Sequence, residues 1–113
     1  TEKEWSLGEL AERGEGVYQK NCVACHQMNG EGLPPIFPAL AGSDIVMFDK
    51  DRNVEILMEG VQGAAMQSFA NQLSEVDMAS VITYTRQAWG NAENGDGVYV
   101  VPSDIVEYKK PKI

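Results

Sequence analysis

Apolar positions recur at helical spacing in three parts of the chain. In the first, Leu10, Gly14, Val17 and Tyr18 fall on one side of a helix expected from about Leu7 to Asn21. Gly14 and Gly16 weaken that helix locally, so they need a reason, and close helix packing is one. In the second, Val54, Leu57, Met58 and Val61 stand at i, i+3, i+4 and i+7, one face of a short helix over about Asn53 to Gly60. In the third, Met78 shares helical spacing with Val81, Ile82 and Thr85. That helix is expected from Ser74, which has capping-box spacing to Asp77, to near Gly90. Between the first two helices runs "HQMNGEGLPPIFPALAGS", whose prolines and glycines oppose helix. A loop this long in a small domain usually has a job, and wrapping the edge of a bound ring is one. A second loop, "GVQGAAMQSFANQ", joins the later helices. The tail after Gly90 has turns, a short apolar run and one helical turn after Ser103. The expected fold class is all-α, about three main helices plus loops.

Composition adds limits. The chain has 113 residues, which suits one domain without repeats. A chain this short buries only about two-thirds of its unfolded surface, so a bulky buried cofactor would add much to its core. No apolar run approaches the ~20 residues of a membrane span. "TEKEWSLGEL" is charged and lacks the apolar stretch of a signal peptide, so the expectation is a mature chain or a soluble piece cut from a longer one. Seventeen acids against nine bases give a net charge of −8, which argues against nucleic acid and against an anionic membrane surface.

Candidate chemistry sits in "NCVACHQMNG". It holds both cysteines and the only histidine of the chain, as Cys22, Cys25 and His26. A structural disulfide across two residues would close little loop entropy. A thioredoxin-like pair wants a preceding strand, and the preceding segment reads as helix. A structural zinc wants four ligands, and there is no second Cys/His pair. Covalent haem fits: in C-x-x-C-H the two thiols add to the haem vinyl groups, and the adjacent histidine becomes the proximal iron ligand.

With its one histidine used, the other axial position needs a different residue or stays open. Met28 is two residues past His26 and is read as a bystander. Met58 and Met78 fall on apolar helix faces and read as core. Met47, in "SDIVMFDKD", stays open by position. Met66 lies in the Gly- and Ala-rich loop, where small residues let the backbone approach a ring, and is the expected ligand. Phe69 is expected to close over the haem edge. A haem with both sites filled by His26 and Met66 suits one-electron transfer through an edge near Cys22 and Cys25. The alternative class is a haem enzyme whose sixth site is open.

The order helix, C-x-x-C-H, Pro/Gly loop, helix, Met loop, helix resembles the class I cytochrome c family over roughly residues 7–90. That makes 1–113 a single cytochrome c domain wrapped around one covalent haem, with 91–113 as a C-terminal extension. Gly14 and Tyr18 match the family's glycine and aromatic on the first helix; Val81 and Tyr84 match its last helix. Those two helices cross closely in the family. Pro38 matches the proline whose carbonyl accepts a hydrogen bond from the proximal histidine, and Met66 matches the distal methionine. Longer stretches, "GEGVYQKNCVACHQMNGEGLPPIFPALAGS" and "MQSFANQLSEVDMASVITYTRQAWGN", look like the cytochrome c domain of subunit II in caa-type cytochrome c oxidases. That likeness implies relay of electrons from a donor cytochrome c or the cytochrome bc complex to the copper centre of subunit II. It implies a periplasmic location, or the periplasmic face of the inner membrane, with membrane contact only through the parent oxidase and no catalysis by the domain alone. The copper-binding segment and membrane helices of such a subunit are not in this sequence, so on that likeness the chain is expected to be an excised domain; a free-standing cytochrome of similar sequence is the alternative.

Overall fold

The computed structural model describes residues 4–33, 38–61 and 66–109. The prolines at 34 and 35 and the small residues at 63–65, read above as loop, lie outside them. Among the described residues seven helices follow in order: α1 (Leu7–Asn21), α2 (Val23–His26), α3 (Asp44–Phe48), α4 (Lys50–Glu59), α5 (Glu75–Gln87), α6 (Asn91–Asn94) and α7 (Pro102–Lys109). Among the described residues no strand forms, as the all-α expectation requires.

α1 starts at a reciprocal cap. Ser6 Oγ accepts from the Glu9 N–H, and the Glu9 carboxylate accepts from the Ser6 N–H at 3.0 Å. Its inward face buries Leu10, Gly14 and Tyr18. The glycine is where α1 meets α5: a Cβ at Gly14 would stand 1.9 Å from the Ser80 carbonyl oxygen and 2.7 Å from Tyr84 Cβ. Close packing thus explains Gly14. It does not explain Gly16, where an added Cβ would meet nothing within 4 Å.

The short elements depart from the sequence reading. α3 was not foreseen, because five residues are too few to display a period. Ser43 caps it by accepting from the Val46 N–H. α4 begins three residues before the expected Asn53, because the Asp49 carboxylate accepts from the Arg52 N–H and starts the helix there. Its first turn is polar and carries no apolar signal. α7 runs two turns where one was expected. Pro102 suits a first helical position, and the Asp104 carboxylate accepts from the Val101 N–H at 2.9 Å.

The tail folds back onto α5. Val100 and Ile105 are fully buried in the same core as Tyr18, Met58 and Met78. Thr83 Oγ1 donates to the Val100 carbonyl at 2.8 Å and accepts from the Val100 N–H at 3.1 Å. Buried Arg86 donates to the Val98 and Met47 carbonyls and pairs with Asp96. Burial pushes the Asp96 carboxyl up, but the Val98 N–H and the Arg86 guanidinium outweigh it and hold the pKa below its ordinary value. A carboxylate with a depressed pKa in the fold stabilises above its unfolded pKa, near 4 for aspartate, and loses that contribution as pH falls through the folded value. Stability measured by denaturant should therefore fall from about pH 5 downwards, and Asp96→Asn should flatten part of that slope while lowering stability at neutral pH.

Candidate functional site

The helices surround a cavity of about 330 Å³, within the size range of small-molecule sites. α5 contributes Val81, Ile82 and Thr85 to its wall, and α4 contributes Ile56 and Leu57. Cys22, Cys25, His26, Pro38, Met66 and Phe69, all singled out in the sequence, line this one cavity. The other four methionines do not. Met28 is exposed, and Met47, Met58 and Met78 are buried away from the cavity wall. Phe69 is itself buried in the core, so it forms part of the wall.

Cys22 caps the end of α1, and the single turn of α2 carries Cys25 and His26 onto the cavity. The two cysteines form no disulfide with each other, and both are half-buried. Burial pushes the Cys22 thiol up to about 11, with Cys25 adding to the effect. His26 Nδ1 lies 3.0 Å from the Pro38 carbonyl oxygen. A carbonyl only accepts, so this contact puts the ring proton on Nδ1 and leaves the Nε2 lone pair free for a metal. Two thiols, one oriented imidazole and one thioether on an apolar cavity fit a covalently held haem.

Two supports of this arrangement act through contacts that the sequence did not display. The chain leaves α2 at Gln27 with φ 67° and ψ 162°, a conformation rarely open to residues with a side chain. The Tyr18 hydroxyl donates to the Gln27 carbonyl at 2.6 Å and holds it there. Trp89 Nε1 donates to the Met28 carbonyl at 2.9 Å, and the Trp89 ring lies so close over Gly30 that a Cβ there would be 2.6 Å from it. Tyr18, Tyr84 and Trp89 pack as a trio with ring centroids 5.3 to 5.7 Å apart. Deprotonating Tyr18 is disfavoured by its burial first and by Cys22 and Tyr84 second, so it stays a donor.

The second support is buried Asn91. Its Oδ1 accepts from the Gly42 N–H at 2.8 Å, and its Nδ2 donates to the Leu40 and Thr85 carbonyls. The Gly30 carbonyl accepts from both Leu40 and Ala41 N–H groups. The segment that carries Pro38 is thereby tied to α5 and to the turn after His26. A lone asparagine in a polar tail gives no hint of this, because the role arises only when the tail meets the loop.

A family model described as cytochrome C oxidase, cbb3-type, subunit III matches residues 9–84. A cytochrome c-552 of Thermus thermophilus is 35% identical, over 88% of this chain and 85% of that protein. The cytochrome c subunit of a quinone alcohol dehydrogenase from Gluconobacter oxydans is also 35% identical, over 81% of this chain. The match covers only 21% of that longer subunit. Among solved structures, cytochrome cL from Methylophaga aminisulfidivorans aligns with a TM-score of 0.59 at 20% identity, over 93% of this chain and 69% of that one, a likeness of fold alone. With the C-x-x-C-H segment lining an apolar cavity in a helical fold, these matches establish that the chain belongs to the cytochrome c family, an electron-carrier domain with covalently bound haem c.

Proposed function

We propose that this domain carries single electrons through a haem c attached at Cys22 and Cys25, with His26 and Met66 as its axial ligands. We propose further that it takes electrons from a donor cytochrome c or a cytochrome bc complex and relays them to the copper centre of a terminal oxidase subunit II. The observation that carries the first part is the cavity lining: of the five methionines, Met66 alone shares the cavity with Cys22, Cys25 and His26. Support for the second part is the extended likeness of sequence to the cytochrome domain of caa-type oxidases. When bound, the haem iron supplies a one-electron couple. The Pro38 carbonyl fixes the His26 ring and raises its basicity. Apolar walls from α4 and α5 exclude water. A thioether ligand from Met66 raises the reduction potential.

Exposed apolar residues bear on docking. Met28, at 54% exposure, and Leu33, at 56%, lie on the turn that follows His26, and Ile45, also exposed, lines the cavity. This favours an apolar contact around the haem edge over charge pairing, despite the net charge of −8. Attachment of haem c outside the bacterial cytoplasm puts the domain in the periplasm or on the periplasmic face of the inner membrane. Among the described residues no helix is long and apolar enough to cross a membrane. A free-standing carrier is the second reading, favoured by the match along 85% of a cytochrome c-552.

Stopped-flow mixing of the reduced domain with a soluble copper-binding domain of a caa-type subunit II tests the relay. Rapid oxidation is expected, with a rate that changes less than about twofold as salt rises from ~0.01 to ~0.1 M and the Debye length shrinks from ~30 to ~10 Å. A steep fall with salt would replace the apolar contact by a basic partner patch. No transfer to copper, alongside rapid exchange with a donor cytochrome, would reject the relay and leave the free-standing carrier.

A further inference from the structure

We propose that α7 is a brace for the methionine loop: Asp104 and Tyr108 hold the two ends of α4, and α4 in turn holds Met66 against the cavity. Lys50 is the first residue of α4 and Glu59 the last. Lys50 Nζ lies 3.4 Å from Asp104 Oδ2, and the Tyr108 hydroxyl donates to the Glu59 carboxylate. Asp104 and Tyr108 are four residues apart and share one face of α7. Between them, Ile105 is fully buried against the core. Lys109 adds an ion pair to Glu75 at the start of α5, 3.2 Å apart. α7 is therefore fixed to α5 and grips α4 at both ends.

The C-terminal end of α4 carries the loop. The Val61 N–H donates to the Met66 carbonyl at 3.0 Å, and the Phe69 N–H donates to the Leu57 carbonyl at 2.9 Å. Ser68 Oγ donates to the Met58 carbonyl. Gly60, at φ 74°, lies under the same segment, and a Cβ there would be 2.8 Å from the Met66 carbonyl oxygen. Met66 to Phe69 must therefore move with the end of α4. Lys50, Glu59, Asp104 and Tyr108 do not line the cavity, so they act as positioning residues.

This proposal rests on Met66 as an axial ligand. Its test is the holoprotein with Lys50→Met and Tyr108→Phe combined, which removes both grips and keeps the Tyr108 ring. Carbon monoxide should bind the reduced variant roughly three- to tenfold faster than the parent, the change in open population that follows from losing one or two such contacts. The weak methionine-to-iron band of the oxidised variant should fade at lower temperature. The amides of Val61 and Phe69 should exchange with deuterium faster by a similar factor. Lys109→Met cuts only a solvent-exposed tether of α7 to α5, leaves the fully buried Ile105 to hold α7 in place and spares both grips, so all three readouts should stay at parent values. Should the double variant fail to fold, Lys50→Met alone should show the same changes at smaller size. Parent-like carbon monoxide binding and amide exchange in the variant would overturn the brace, as would an equal response from Lys109→Met. A parent that already binds carbon monoxide rapidly would instead reject Met66 as ligand, and unchanged exchange at Val61 and Phe69 would separately reject the brace.

Discussion

Gly14→Ala will destabilise the domain by about 3 kcal/mol or more, the upper end for overpacking, because the new methyl meets backbone. A Cβ 1.9 Å from the Ser80 carbonyl oxygen and 2.5 Å from its carbon has no flexible neighbour to displace. Either α1 or the whole of α5 must shift. α5 supplies Val81, Ile82 and Thr85 to the cavity wall, so the shift also disturbs the haem site. Gly16→Ala, two residues along the same helix, is the control. There the added methyl meets nothing, and replacing a helical glycine should stabilise by about 0.5–1 kcal/mol. Denaturant unfolding of both holoproteins checks the pair. Equal effects of the two substitutions would mean that α1 and α5 do not meet at Gly14.

Met66→Ala will open the sixth coordination position. No other methionine lines the cavity, and His26 is the only histidine, so the chain has no ready substitute. The reduced variant should bind carbon monoxide rapidly where the parent resists it. Losing the thioether should lower the reduction potential by on the order of a tenth to a few tenths of a volt, within the ~0.8 V that axial ligation spans. Loss of side-chain packing should add a stability cost of about 2 kcal/mol. A variant with the parent's spectrum and potential would assign the ligand elsewhere.

The sequence made the large features legible because they rest on periodic or fixed-spacing signals. α1 and α4 each bury one apolar stripe, visible as i, i+3, i+4 spacing; α5 is buried nearly all round, and the spacing of Met78, Val81, Ile82 and Thr85 showed only one side of it. Cys22, Cys25 and His26 are crowded because short-range geometry demands it, so a scan along the chain finds them. That Met66 lines the cavity was legible from its small-residue loop. What stayed hidden depends on contacts between distant segments. α3 is defined by a Ser43 cap and not by a period. Tyr18 reads as an apolar helix position, while its hydroxyl holds the Gln27 carbonyl. Asn91 and Arg86 read as ordinary polar residues, yet both are buried and donate to backbone carbonyls of distant segments. The tail carries only a brief apolar run, and Val100 and Ile105 find their place only against α5.

The central claim is that Met66 completes the coordination begun at His26. A methyl group held over the face of a haem feels the ring current of the porphyrin, and methyl groups elsewhere do not. With all five methionines labelled at the ε-carbon, the reduced protein gives five methyl resonances. The account predicts that one lies far upfield of the other four and disappears in Met66→Leu. Five resonances in the ordinary methionine range, or a displaced one that survives Met66→Leu and vanishes in Met47→Leu, would contradict it.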